Sequence, residues 1–347
     1  MSKKEYLWKL SDLKNIQKNN YRVFSCFACG GGSSMGYKLA GYDVIGDCEI
    51  DPKINKMYLA NFNPKYNFSM SIQEMVKKDK LPEELYHLDV LDGSPPCSTF
   101  SMNGERSKNW GKLKKFREGQ ADQILDDLFF YFIQLAKRLQ PKVVVAENVE
   151  GLLRGNAKGY VNLIIKKFHD AGYKVQLFLL NAATMGVPQR RKRSFFICTR
   201  KDLDLPNIKL NFHEKPITYG EFKDNHYKPM NKNTLFYKRW LKRIPKDRNI
   251  GDTVKRTENG KISMFSFTFC KDNEVPNTLT ASNNPVRFDV PGFISDKDMI
   301  TIQTFPQDYD FNDMTANYVC GMSVPPVMMK KIAIEIKKQL LDKVSAR

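Results

Sequence analysis

A chain of 347 residues, 41% of them hydrophobic, can bury one large core or two modest ones. Its formal charge of +18 points to a polyanionic partner, nucleic acid before a membrane surface. No apolar run is long enough to cross a bilayer and residues 1–6 lack a secretory core, so no membrane association and a cytoplasmic location are expected, nucleoid-associated in a prokaryote.

Seven cysteines without regular spacing fit a reducing compartment better than a disulfide framework. Cys26 and Cys29 form a lone C-x-x-C, and the four histidines are scattered, so the roughly four ligands of a zinc site are missing and no metal is expected.

In chain order, residues 1–20 are polar and lysine-rich, with apolar positions sparse enough for one short helix. Residues 21–27 read as a buried strand running into Ala28-Cys29-Gly30-Gly31-Gly32, which opens a helix through Tyr37, Leu39 and Ala40. Glycines let the backbone approach a ligand, and the helix start offers free N–H groups. A second strand over 42–49 ends in Glu49, about 20 residues past the turn, the spacing at which such folds hold ribose hydroxyls.

Residues 86–91 alternate like a strand and lead into Gly93-Ser94-Pro95-Pro96-Cys97. Each proline fixes its own φ and extends the residue before it, so the Cys97 thiol stands on a stiff loop. A rigidly aimed thiol suits a nucleophile, and a small buried residue at a tight turn is the alternative. Residues 101–120 show no period and suit a loop that closes over substrate.

Helical spacing over 121–140 (Ile124, Leu125, Leu128, Phe129, Phe132, Leu135, Leu139) ends at Pro141. The apolar strand Val143-Val144-Val145-Ala146 then leads to Glu147-Asn148-Val149, which places Glu147 on the same sheet edge as Glu49 and Cys97. A helix over 160–171, a strand over 174–180, the basic run Gln189 to Arg193 and a strand over 194–198 follow. This alternation predicts a doubly wound α/β sheet through residue 200. Beyond it the rhythm stops: residues 201–275 mix Asn, Pro and Lys with aromatics, and 228–243 interleaves cations with rings in a way that suits phosphates and base edges. A helix over 327–342 closes the chain.

Taken in this order, the segments resemble the cytosine-C5 DNA methyltransferase family over most of 21–200 and again over about 276–335. The glycine turn with Gly36, Ser94-Pro95-Pro96-Cys97, Glu147-Asn148-Val149, the Gln189 to Arg193 run and the closing Gly-x-Ser-Val-Pro at 321–325 carry the likeness. Three departures stand out: Ser25-Cys26-Phe27-Ala28-Cys29 replaces the family's Asp-Leu-Phe-Ala-Gly, Ser71 stands where an acid is usual, and Met322 stands where Asn is common.

The resemblance implies a Rossmann-like methyltransferase sheet with a second, smaller target-recognition domain. Residues 1–200 plus 315–347 would form the catalytic domain, and 201–314 the recognition domain. It implies S-adenosylmethionine as cofactor, with S-adenosylhomocysteine as product, held by Phe27, Gly30, Gly31, Gly32, Glu49, Ile50, Ser71, Ile72, Leu128, Ser323 and Val324. Cys97 would add to C6 of cytosine, Glu147 would serve ring N3, and Arg191 and Arg193 would clamp the ring carbonyl and orient Glu147. A duplex hides these atoms, so the base must be flipped out.

Double-stranded DNA is the expected partner and a monomer the expected state; a restriction endonuclease, if one is paired with it, is a separate chain. The tRNA-modifying branch of the same family shares nearly all these motifs, and the basic insert after residue 200 favours duplex DNA over it. A dinucleotide oxidoreductase would account for the glycine turn and Glu49, but not for the proline-cysteine loop, Glu147 or the arginine run.

Overall fold

The computed structural model describes residues 4–96, 128–153, 158–258, 267–282 and 284–344. It divides into two compact units. The first, the sheet unit, comprises Leu13–Asn181, Lys192–Asn211 and Met329–Arg347; the second comprises Met1–Asp12, Ala182–Arg191 and Phe212–Met328. Set against the expected division into 1–200 plus 315–347 and 201–314, residues 1–12, 182–191 and 315–328 group with the second unit and 201–211 with the sheet unit.

The sheet unit is built on β1 (Arg22–Cys26), α1 (Gly32–Leu39), β2 (Asp43–Cys48), α2 (Pro52–Asn61), β3 (Tyr66–Phe68), α3 (Ile72–Lys77), β4 (Val90–Gly93), α4 (Leu128–Leu139), β5 (Val143–Val149), α5 (Lys158–Asp170), β6 (Tyr173–Asn181) and β7 (Lys192–Arg200). The strand order is β3-β2-β1-β4-β5-β7-β6. All neighbours pair parallel except around β7, which runs antiparallel to β5 and β6. The strand order reverses between β1 and β4, the place where open α/β sheets bind ligands.

Strands β1, β4 and β5 read as near-continuous apolar runs because helices cover both faces of a parallel sheet. Phe24, Leu91, Val144 and Phe196 are fully buried in one cluster with Phe129, Phe132 and Leu135 of α4. Helix α2 starts cleanly: Asp51 caps it by accepting from the N–H groups of Lys53 and Ile54, and Pro52 fills the first turn. Ser71 and Glu74 form a reciprocal capping box at α3.

The alternation over 86–91 is mostly not strand. Glu83–His87 forms a 3-10 turn, and pairing starts only at Val90, opposite Val23. The helix expected over 121–140 is seen from Leu128 onward, its earlier residues lying outside the described ones. Cys97 and the loop expected over 101–120 also lie outside them.

The second unit carries a small sheet in the order β8 (Tyr227–Pro229), β11 (Gly292–Ile294), β10 (Val286–Arg287), β9 (Phe269–Cys270). Helices α6 (Leu235–Leu241), α7 (Ile250–Glu258), α8 (Asp296–Ile302) and α9 (Ala316–Met322) belong to it. Met230, Trp240, Ile250, Phe269 and Val286 form a local core, and the Trp240 indole donates to the Arg287 carbonyl at 2.9 Å. Residues 201–275 are therefore not wholly irregular: α6 buries Trp240, β9 buries Phe269, and α7 buries Ile250 and Thr253 without an aromatic.

Gly93 ends β4 under α4. A Cβ there would stand 2.6 Å from the Phe132 ring. Gly93→Ala should destabilise the chain by about 1–3 kcal/mol through overpacking. A urea midpoint equal to wild type would show that Phe132 gives way freely.

Candidate active site

The glycine turn leaves β1 in a tightly wound conformation. Phe27, Cys29 and Gly31 have φ of 55°, 46° and 71°, so alternate residues are left-handed. Only glycine takes that region without strain, and non-glycine residues there mark a turn held by its surroundings. Part of the holding comes from Glu49, which is buried just past the end of β2. Its carboxylate accepts from the N–H of Cys29 and the N–H of Asp51, each at 3.0 Å. Burial pushes the Glu49 pKa up, and those backbone donors oppose the shift.

Beside the turn is a small hollow lined by Phe27, Cys48, Ile50, Met70, Ser71, Ile72 and Leu128. Five of the residues expected at the cofactor, from four separate stretches of chain, thus meet in one place. The hollow as it stands is water-sized, and apart from Ser71 its lining is apolar or thiol-bearing. Ser71 spends its hydroxyl on the cap of α3, so it lines the slot mainly as helix start. Ser323 and Val324 are buried in the second unit.

At β5 the expected rim acid lies within the strand. Glu147 pairs across from Phe195 on β7 and Val149 across from Arg193, so Glu147 and Arg193 are diagonal neighbours on one face. Arg193 Nε lies 3.0 Å from Glu147 Oε1, with both side chains little exposed. Burial lowers the Arg193 pKa, and the Glu147 carboxylate counters it. Arg191 does something else. Its guanidinium is 2% exposed and donates to the carbonyls of Leu279, Gly321 and Ser323 at 2.9–3.0 Å. Gln189 joins the same cluster, donating to Gln303 Oε1 at 2.7 Å.

Three residues that the motifs did not single out as site residues also matter. Asn148 Nδ2 donates to the Pro95 carbonyl at 3.0 Å, which pins the proline stretch two residues before Cys97. Asp92, on β4, is buried against Ser25 and Tyr37. Asp47, on β2, is buried against Asn67, whose amide donates to both its oxygens at 3.0–3.1 Å. Burial raises Asp47 and Asp92 to about 7 each, with hydrogen bonds opposing the shift. The signal for these acids is an aspartate inside an apolar strand, a placement that demands a partner.

The family model described as C-5 cytosine-specific DNA methylase matches residues 21–338. Type II methyltransferase M.FnuDI of Fusobacterium nucleatum is 28% identical over 364 residues, covering 93% of this chain and 96% of the relative. M1.HphI of Haemophilus parahaemolyticus is 28% identical over 335 residues, covering 90% of this chain and 85% of the relative. Among solved structures, a candidate DNA modification methyltransferase encoded within an E. coli prophage superimposes with a TM-score of 0.66 at 20% identity, covering 93% of this chain and 100% of that one. A Spodoptera frugiperda DNMT2 mutant gives 0.61 at 16% identity, with 94% and 100% covered. At these identities the solved structures attest the fold alone.

Two outcomes follow from this geometry. Cys29→Gly removes a left-handed cysteine and should raise stability by about 0.5–1 kcal/mol, the gain being limited by the freer unfolded chain. Differential scanning calorimetry checks it, and a lowered melting temperature would contradict it. Asp92 has a folded pKa near 7, whereas an unfolded aspartate titrates near 3.9, so the folded chain keeps a proton the unfolded chain loses. Stability from this group is full below about pH 4 and lost as pH rises towards about 7. Asp92→Asn should flatten that decline in urea titrations run across the window, while Asp47 keeps its own share.

Proposed function

This chain belongs to the C-5 cytosine-specific DNA methylase family and is a DNA cytosine-C5 methyltransferase, a transferase that uses S-adenosylmethionine, and from that premise we propose how its residues divide the reaction. The observation that carries the proposal is the Glu147–Arg193 pair, a carboxylate and a guanidinium 3.0 Å apart on paired strands. The family and its type II relatives favour DNA over the RNA branch.

Cytosine C5 is a poor nucleophile, so electron density must be added to the ring before methylation. The Cys97 thiolate adds to C6, forming a C–S bond and pushing the C5=C6 pair towards C5. Glu147, protonated and sharing that proton with ring N3, steadies the charge that builds there, and Arg193 fixes the direction of its carboxyl. Arg191 holds the 279 and 321–323 segments through their carbonyls, a role of support rather than ring contact. When bound, S-adenosylmethionine supplies the methyl group that C5 takes up. Loss of the C5 proton and departure of Cys97 restore the ring. The slot lined by Phe27, Ile50, Ile72 and Leu128, with Glu49 at its edge, would hold the nucleoside of the cofactor. Flipping the base from the duplex costs a few kcal/mol.

Sequence choice is proposed to lie in the second unit. There Arg239, Arg248 and Arg256 are committed to Glu258, Asp252 and Asp247 at 2.7–3.1 Å. Lys238 and Lys242, on and just after α6, are exposed. They are the better phosphate contacts, because among the described residues neither is ion-paired to a carboxylate that would have to be given up. The chain is proposed to act as a monomer, and any restriction endonuclease matched to it would be a separate protein.

The test of the reaction is covalent trapping. Duplex DNA with 5-fluorocytosine at the target should form an adduct, since fluorine replaces the proton that must leave. Cys97→Ala should abolish trapping and methyl transfer while DNA binding persists; undiminished turnover would sink the scheme. For the second unit, Lys238→Ala or Lys242→Ala should weaken binding to all duplexes alike and reduce the salt slope by roughly one unit. A changed methylation site in either variant, read by bisulfite sequencing, would instead make that lysine a base reader.

A further inference from the structure

Asp92 is a buried carboxyl that the reaction scheme leaves unused. It is 2% exposed and stands in register with Ser25 across the parallel β1–β4 pair. Oδ2 accepts from the Ser25 hydroxyl at 3.1 Å and Oδ1 from the Tyr37 hydroxyl at 3.3 Å. The Ser33 hydroxyl stands close enough to oppose the upward shift of the Asp92 pKa. Ser25, Ser33 and Tyr37 are themselves buried.

These hydroxyls come from two sides of the glycine turn. Ser25 lies on the strand that enters it, and Ser33 and Tyr37 lie on the helix that leaves it. The acceptor sits on the strand that runs out through Gly93 to the proline stretch. That exit is fixed at two more points, by Phe132 packed over Gly93 and by Asn148 bonded to the Pro95 carbonyl. One carboxyl therefore ties the turn to the strand exit at the sheet's switch point.

Apolar side chains would fill this place at lower cost. Burying an acid among hydroxyls carries a desolvation penalty, and replacing such clusters by packed apolar groups is often neutral or stabilising. What the cluster adds is direction: hydrogen bonds fail over distances that apolar contacts tolerate.

We propose that Asp92 is a positioning residue for methyl transfer, holding the cofactor turn at a fixed offset from the strand exit that leads to Cys97. This rests on the functional reading above. It also predicts an unusual equivalence. Because Ser25 and Asp92 are register partners with bonded side chains, the acid can change strands and still reach the same hydroxyls.

The experiment uses the full chain in four forms: wild type, Asp92→Asn, Asp92→Val, and the exchanged pair Ser25→Asp/Asp92→Ser. S-adenosylmethionine binding is measured by calorimetry, and kcat and KM by methyl transfer to duplex DNA. Asp92→Val should lower kcat/KM for S-adenosylmethionine by on the order of 10²-fold, with both parameters affected, as misplacement of about 1 Å does elsewhere. Asp92→Asn keeps the shape and should fall between wild type and Asp92→Val. The exchanged pair should recover to within about tenfold of wild type, since its groups are the same and only their strands differ.

A folded Asp92→Val with wild-type kcat/KM would overturn the proposal. If Asp92→Val does not fold, the exchanged pair decides: near-wild-type kcat/KM supports the role, and a pair that is inactive or unfolded overturns it. A wild-type chain that neither binds S-adenosylmethionine nor methylates DNA would remove the functional reading itself. An active wild type with indifferent variants removes only the role of Asp92.

Discussion

Parallel strands deliver their ends to one edge, and the chemistry of this chain depends on that. With β1, β2, β4 and β5 all running one way, the glycine turn, Glu49, the proline stretch and Glu147 arrive on a common rim of the sheet unit. No single loop has to be long enough to gather them. The antiparallel β7 then adds what a purely parallel sheet could not, a side chain coming from the opposite direction. Arg193 meets Glu147 diagonally because the two strands run against each other in unbroken register. The pair belongs to the sheet, so the acid is aimed before any substrate is present.

The same rim concentrates carboxyls. Glu49, Asp47 and Asp92 are all buried there, and burial raises all three. Each is satisfied differently: Glu49 by backbone N–H groups, Asp47 by an asparagine amide, Asp92 by hydroxyls. These donors are neutral, which lets acids stand close together without importing cations into the sheet. The strain of the turn and the cost of the acids fall in one region, where a fold tolerates local conflict in return for function.

Much of this was legible in the sequence, for identifiable reasons. Strands β1, β2 and β5 and helix α1 follow from apolar runs broken by glycine, and five of the residues that line the small hollow, spread from Phe27 to Leu128, were singled out by motif resemblance. Other features needed coordinates. That Ser25 faces Asp92 depends on strand register, which no local pattern encodes. That Arg191 turns to three carbonyls while Arg193 meets an acid could not be told from two like residues two apart. The strand expected over 86–91 shortened because Glu83–His87 formed a turn first. The helices of 201–275 were hidden because they are short: α6 buries Trp240 and leaves Leu235 and Leu241 exposed, and α7 buries only Ile250, Gly251 and Thr253.

The segmented make-up of the second unit bears on how the protein is made. The Trp8 indole donates to the Thr304 carbonyl, a partner 296 residues away, and the Leu10 N–H donates to Asp308. The Gln307 N–H completes the exchange by donating to the Trp8 carbonyl. During synthesis Trp8 is made 296 residues before its partner, and all seven strands of the sheet unit are made in that interval. The sheet strands are thus free to pair during translation, and the second unit closes only after Thr304 and Asp308 have been made. An interval of that kind leaves Trp8 open to chaperones, and to the wrong partner, until Thr304 has been made.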